Sequence, residues 1–153
     1  MARIYLASSW KNVDAIAKTV SALRDDNHQV YDFTNPNSGP WQVDGFKWQQ
    51  ISKDYKEWTF KEYTRTLYTN PEVRSAYLRD KAALDWCDYC ILQMPGGRSA
   101  HLELGYCSGR GKKTIIYYPT DISLDDYDLM YLMCDALICT QHQLVNYLQA
   151  EKR

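Results

Sequence analysis

The residues best able to do chemistry lie in two short stretches. One is "MPGGRSAHLELGYCSGRGKK", residues 94–113, where Glu103 sits among Ala100, Leu102 and Leu104 and two residues before Gly105. A carboxylate there admits two readings. In the first it is a charge in the early turns of a helix, stabilised by about 0.3–1 kcal/mol through the helix dipole. In the second it is a half-buried group facing a bound sugar, which is what a nucleophile at an anomeric carbon requires. The other stretch is "ASSWKN", residues 7–12. Each stretch leads toward a helix N-terminus, where unpaired N–H groups favour anions. Ser8, Ser9, Lys11, Arg98 and Ser99 add further donors. The pattern GxxxxGK[ST] is absent and no GxGxxG follows the first strand, so the physics reaches only to a general phosphate or ribose site.

Other polar residues have plainer readings. His101 is two residues before Glu103 and so points to a different helix face, as a surface or capping residue. Asp85 suits a solvated helix position, Asp88 suits a cap or a contact with backbone amides, and Asp80 has no evident structural task. Cys87 and Cys90 form a C-x-x-C, but it spans a helix end entering a strand, the reverse of a redox motif. No second Cys or His pair at zinc spacing follows, and neither metal nor cofactor is expected.

Positioning these residues takes alternating strands and helices. Apolar runs predict strands over 3–8, 28–34, 88–94, 113–119 and 136–140. Helices are expected over 11–26, with Val13, Ile16, Ala17, Val20 and Leu23 inward and Asn12 or Ser9 as N-cap. Further helices are expected over 71–87, 99–109, 125–135 and 141–153, with Pro71 opening the first of these. Its apolar face would be Val73, Tyr77, Ala83, Leu84 and Cys87. Residues 46–68 carry Trp48, Tyr55, Trp58, Phe60, Tyr63 and Tyr68 among charges, and read as one or two extra helices over the body of the fold. The class is α/β: a flavodoxin-like (Rossmann-like) domain over 1–153. Its five-stranded, mainly parallel sheet has order 2-1-3-4-5, with helices on both faces. Ligands in such sheets bind at the carboxyl ends of the strands near the switch point between strands 1 and 3. Both chemical stretches fall there.

Composition narrows the partners. The 153 residues are 45% hydrophobic and 24% charged with net charge −1, an ordinary globular profile without the basic footprint of a nucleic-acid binder. No apolar run is long enough to span a bilayer and no signal-peptide pattern opens the chain, so a cytoplasmic protein with reduced cysteines is expected. Thirteen Tyr and five Trp against three Phe favour pockets and interfaces, where one ring edge is wet.

"IYLASSW", Asp80 eight residues before Asp88, and "GRSAHLELGYCSGRGKK" together resemble the nucleoside 2-deoxyribosyltransferases and their relatives, the nucleoside 5′-monophosphate N-glycosidases. The likeness runs from Ile4 to about Leu132 and is weakest over 41–69. It implies that Glu103 attacks the anomeric carbon to form a glycosyl ester, that Tyr5 positions that carboxylate, and that Asp80 protonates or holds the departing base. It implies 5′-side contacts from Ser9, Lys11 and Ser99, and from Asp128 of a neighbouring subunit, hence a homodimer or larger homo-oligomer. The partner implied is a small nucleoside or nucleotide, not a polymer or a membrane. Trp10, Trp41 and Trp48 would stack on the base or pack an extra helical layer. Two departures bear on specificity. Gly97 stands where many transferases carry an acid, so base recognition must differ. Asp128 stands where phosphate-specific relatives use a small hydroxyl, favouring a free 5′-OH, whereas Lys11 and Arg98 favour a phosphate. A non-catalytic nucleotide-binding module and a redox domain using Cys87 and Cys90 are the competing readings.

Overall fold

The computed structural model describes residues 1–35, 45–119 and 127–151. Strand β1 (Arg3–Ala7) buries Ile4 through Ala7 without alternation, as a strand covered on both faces must. It pairs in parallel with β2 (Gln29–Asp32) on one side and β3 (Tyr89–Gln93) on the other. Strands β4 (Lys113–Tyr117) and β5 (Ala136–Ile138) extend the sheet to the order β2-β1-β3-β4-β5, parallel throughout. This is the expected α/β architecture.

Each face is closed by helices. On one, α1 (Val13–Asp25) contributes Ile16, Val20 and Leu23 against Ile4, Leu6, Val30, Ile91 and Ile115. The C-terminal helix Gln141–Ala150 adds Leu144 and Leu148 to the same layer. The α1 stripe is rotated from the expected one. Thr19 is buried, while Val13 and Ala17 are exposed. Thr19 fits because its hydroxyl donates to the Ala15 carbonyl one turn back (3.2 Å), so its own buried donor is paired.

Between β2 and β3 the chain makes 3₁₀ turns at Trp48–Gln50 and Tyr55–Glu57, then α2 (Phe60–Thr69), which buries none of its residues. Trp48, Trp58, Tyr63 and Tyr55 pack mainly edge-to-face on one another rather than into the sheet. Helix α3 (Pro71–Trp86) begins at Asn70, whose side chain accepts from the N–H groups of Glu72 and Val73, with Pro71 in the first turn. It buries Val73, Ala76, Ala83 and Leu84; Tyr77 is 61% exposed, contrary to the expected apolar face. Helix α4 (Arg98–Gly109) packs Ala100, Leu104 and Cys107 beside Ala83 and Leu84, under Tyr5, Tyr31, Cys90 and Leu92 of the sheet. The segment before β5 is a 3₁₀ turn at Leu129–Met133, and the closing helix is α5. Among the described residues no helix is long and apolar enough to cross a membrane.

Candidate active site

The two chemical stretches meet at the carboxyl ends of β1 and β3. The Ser8 hydroxyl donates to the Gln93 carbonyl (2.8 Å). Asn12 then bridges the loops, its side-chain amide donating to Ser8 Oγ (3.2 Å) and to the Pro95 carbonyl (2.5 Å). Asn12 stands at the N-cap position of α1 but makes no side-chain cap there, and Ser9 accepts from the Lys11 N–H to cap the 3₁₀ turn Trp10–Asn12.

A cavity of about 680 Å³ opens over this junction. Ser8, Ser9, Trp10 and Lys11 line it from the β1 loop, and Gly97, Arg98, Ser99, Ala100 and Glu103 from the start of α4. Arg79 and Asp80 reach it from α3, Phe33 from the end of β2, and Phe46, Lys47, Trp48, Gln49 and Tyr55 from the aromatic segment. Gly97 caps α4 without a side chain, leaving the first-turn N–H groups without a side-chain acceptor beside Arg98 and Ser99.

Glu103 lies in the second turn of α4 rather than the first, so the dipole reading carries less weight than burial does. Burial raises its carboxyl from 4.5 to about 8; the Tyr5 hydroxyl opposes this and the charge of Asp80 adds to it. Asp80 is also raised by burial, against the Tyr31 hydrogen bond and the Arg79 charge, which favour its carboxylate. Both carboxyls are thus held above the ordinary carboxylate range by burial. Tyr5 is fully buried behind Glu103, outside the cavity lining. Burial, with Glu103 and Asp80 next, pushes its hydroxyl well up, and that hydroxyl makes no hydrogen bond of normal geometry.

An aromatic wall completes the cavity. Trp10 meets Phe33 edge-to-face (5.5 Å), and the Lys47 ammonium sits 4.4 Å from the Trp10 ring centroid. Gly45 supports this wall from behind. A Cβ there would lie 2.7 Å from the Phe33 carbonyl oxygen and 2.8 Å from Trp10 Cη2, which only a glycine avoids. Phe46 and Trp48 form a second edge-to-face pair (5.2 Å).

Among the residues singled out from sequence, Asp128 is apart from the cavity lining. Its carboxylate accepts from the Met130 N–H (2.7 Å) as N-cap of the 3₁₀ turn. Trp41 lies outside the described residues. His101 faces away from Glu103, its Nδ1 donating to the Gly97 carbonyl (2.8 Å) and its Nε2 meeting the Tyr131 hydroxyl (2.9 Å). Asp85 pairs with Lys81 (2.6 Å) and Tyr106, and Asp88 clamps the Arg3 backbone N–H (3.0 Å) and guanidinium (2.6 Å). Cys87 and Cys90 are buried, as is Cys107, and their thiols are held above the ordinary thiol range. No group of metal-ligating side chains occurs among the described residues. Arg79, Phe33, Lys47 and Gln49 were not foreseen. For Arg79 the signal was its place beside Asp80; the others follow from loop packing that no local pattern encodes.

The chain resembles in structure a 2-deoxyribosyltransferase from the psychrotolerant bacterium Bacillus psychrosaccharolyticus. The TM-score is 0.64 at 19% identity, over 95% of this chain and 92% of that one. It also resembles a CMP N-glycosidase from Clostridium botulinum, with TM-score 0.53 and 14% identity over 96% of this chain and 98% of that one. At these identities the likeness is one of fold. No family model matches the chain, and no curated protein matches it in sequence.

Proposed function

We propose that the protein is an enzyme that breaks the N-glycosidic bond of a (deoxy)nucleoside 5′-monophosphate through a covalent glycosyl–Glu103 intermediate. The observation that carries this reading is the convergence in one cavity of two carboxyls, Glu103 and Asp80, with Lys11, Arg98, Ser9, Ser99 and the α4 N-terminus. The carboxyls suit a bond broken through an oxocarbenium-like state; the donors suit a phosphate. The phosphate is preferred over a free 5′-OH because the cations Lys11 and Arg98 and the hydroxyls of Ser9 and Ser99 line the cavity beside the α4 N-terminus.

Glu103 attacks C1′ as the C1′–N bond breaks, and the electron pair of that bond goes to the base. Asp80 delivers a proton to the base, Tyr5 steadies the attacking carboxylate, and the rings of Trp10, Phe33 and Trp48 cover the base and exclude water. Asp80 must be protonated and Glu103 ionised for this to occur. Both carboxyls are held above the ordinary range, and the reactive form of the pair carries its proton on Asp80 rather than on Glu103. Water or a second base then releases the sugar from Glu103.

The test is incubation with the common nucleosides, deoxynucleosides and their 5′-monophosphates, with free base read by chromatography. Base release from monophosphates, lost in Glu103→Gln, is expected; full activity in that variant would refute the assignment. A second base added to the reaction separates transfer from hydrolysis, since only transfer yields a new nucleoside. A Glu103 carboxyl that burial holds up to about 8 also suits a hydroxyl reader in a non-catalytic binding module. Tight binding of intact nucleotide without turnover would favour that reading.

A further inference from the structure

Tyr31 lies one strand away from Tyr5 and in register with it, at the paired position of β2. Its ring stacks on Tyr5 at 5.1 Å between centroids and 24° between planes, and it is completely buried. Its hydroxyl donates to Asp80 Oδ1 at 2.5 Å. The same oxygen accepts from Arg79 Nε at 3.3 Å. Arg79 and Asp80 line the cavity, whereas Tyr31 does not.

These contacts have one direction. A guanidinium has donors only, so the Tyr31 oxygen must accept from Arg79 and its single proton is committed to Asp80. Oδ1 is therefore an acceptor, and any proton carried by Asp80 sits on Oδ2. We propose that Tyr31 is a positioning residue for the leaving-group step: the chain Arg79 to Tyr31 to Asp80 confines the transferable proton to Oδ2, while the Tyr31 ring braces Tyr5 behind Glu103. The inference rests on the glycosidic reading above. In that step the C1′–N bond breaks with its electrons on the base, the Oδ2 proton moves to the base, and a C1′–O bond forms to Glu103. Asp80 is left as a carboxylate with Oδ1 still bonded to Tyr31.

The test is Tyr31→Phe, which keeps the ring and removes the directed hydroxyl. It is assayed on deoxynucleoside 5′-monophosphates with leaving bases of graded basicity, N7-methylguanine and 5-fluorouracil included. A positioned proton donor contributes about 100-fold or more, so kcat on ordinary bases should fall about 10- to 100-fold with KM changed less than about 3-fold. On the N7-methylguanine nucleotide, whose base leaves without a proton, the loss should shrink to less than about 3-fold. Asp80→Asn should follow the same pattern, whereas Glu103→Gln should fail on every substrate. An equal loss on all bases would make Tyr31 merely structural and overturn the proposal, as would wild-type rates in Tyr31→Phe. Activity retained by Glu103→Gln would instead overturn the underlying reading. Thermal unfolding of each variant identifies misfolding, and Arg79→Lys, which loses the planar Nε donor, supplies a second variant expected to show the same leaving-base pattern.

Discussion

Replacing Glu103 with Gln removes a proton that the folded protein holds more tightly than the unfolded chain. The carboxyl is raised from 4.5 to about 8 by folding. A raised folded value means that its stabilising contribution is complete below pH 4.5, the unfolded value, and is lost as pH climbs through about 8. At about 1.4 kcal/mol per pH unit, the loss is roughly 3 kcal/mol by pH 7 and approaches about 5 kcal/mol well above pH 8. The amide of the Glu103→Gln variant has no proton to lose over this range. The stability gap between Glu103→Gln and wild type should therefore widen in favour of the variant by about 3 kcal/mol between pH 5.5 and 8.5. For a chain of this length that is roughly 6–12 °C in Tm. Urea unfolding at the two pH values, with Asp80→Asn as a control, measures it. The control removes the charge that helps raise Glu103, so its own pH-dependent loss should be smaller. A gap that does not change with pH, or that shrinks as pH rises, would refute a carboxyl held up to about 8 at this half-buried site.

Three further outcomes are expected. If the reactive pair shares one proton, kcat/KM should hold near neutrality and fall about tenfold per pH unit above about 8; a rate still rising at pH 10 contradicts this. Lys11→Ala or Arg98→Ala should raise KM for 5′-monophosphates by about 10- to 100-fold and leave any activity on free nucleosides within about 3-fold, read from steady-state kinetics with both substrate types. Under native conditions a thiol reagent should label exposed Cys139 rapidly and Cys87, Cys90 and Cys107 only on unfolding, as mass spectrometry of tryptic peptides would show.

What was legible followed from local pattern. The continuous apolar runs of the strands announced a parallel sheet, and Asn70-Pro71 announced the start of α3. Glu103 stood out because a carboxylate among apolar neighbours asks for a partner. The misreadings came from tertiary contacts. Asn12 does stand at the α1 N-cap, but its side chain ties the two loops together, its amide donating to Pro95, 83 residues away, and makes no cap hydrogen bond. Asp80 showed no structural task because its partner is Tyr31, 49 residues earlier. The aromatic segment was read as helix, and part of it forms 3₁₀ turns because its rings pack on one another and on no long apolar stripe.

Arg98 and Glu103 stand five residues apart on the same helix, α4. At 1.5 Å per residue their separation along the axis is about 7.5 Å, set by the hydrogen-bonded helical backbone rather than by side-chain packing. On the proposed reading the helix acts as a ruler. An anion seated at its start would fix how far along the sugar the carboxylate reaches, and a diphosphate or a longer sugar held by the same end would be displaced from it. Discrimination by length should then survive remodelling of the aromatic wall.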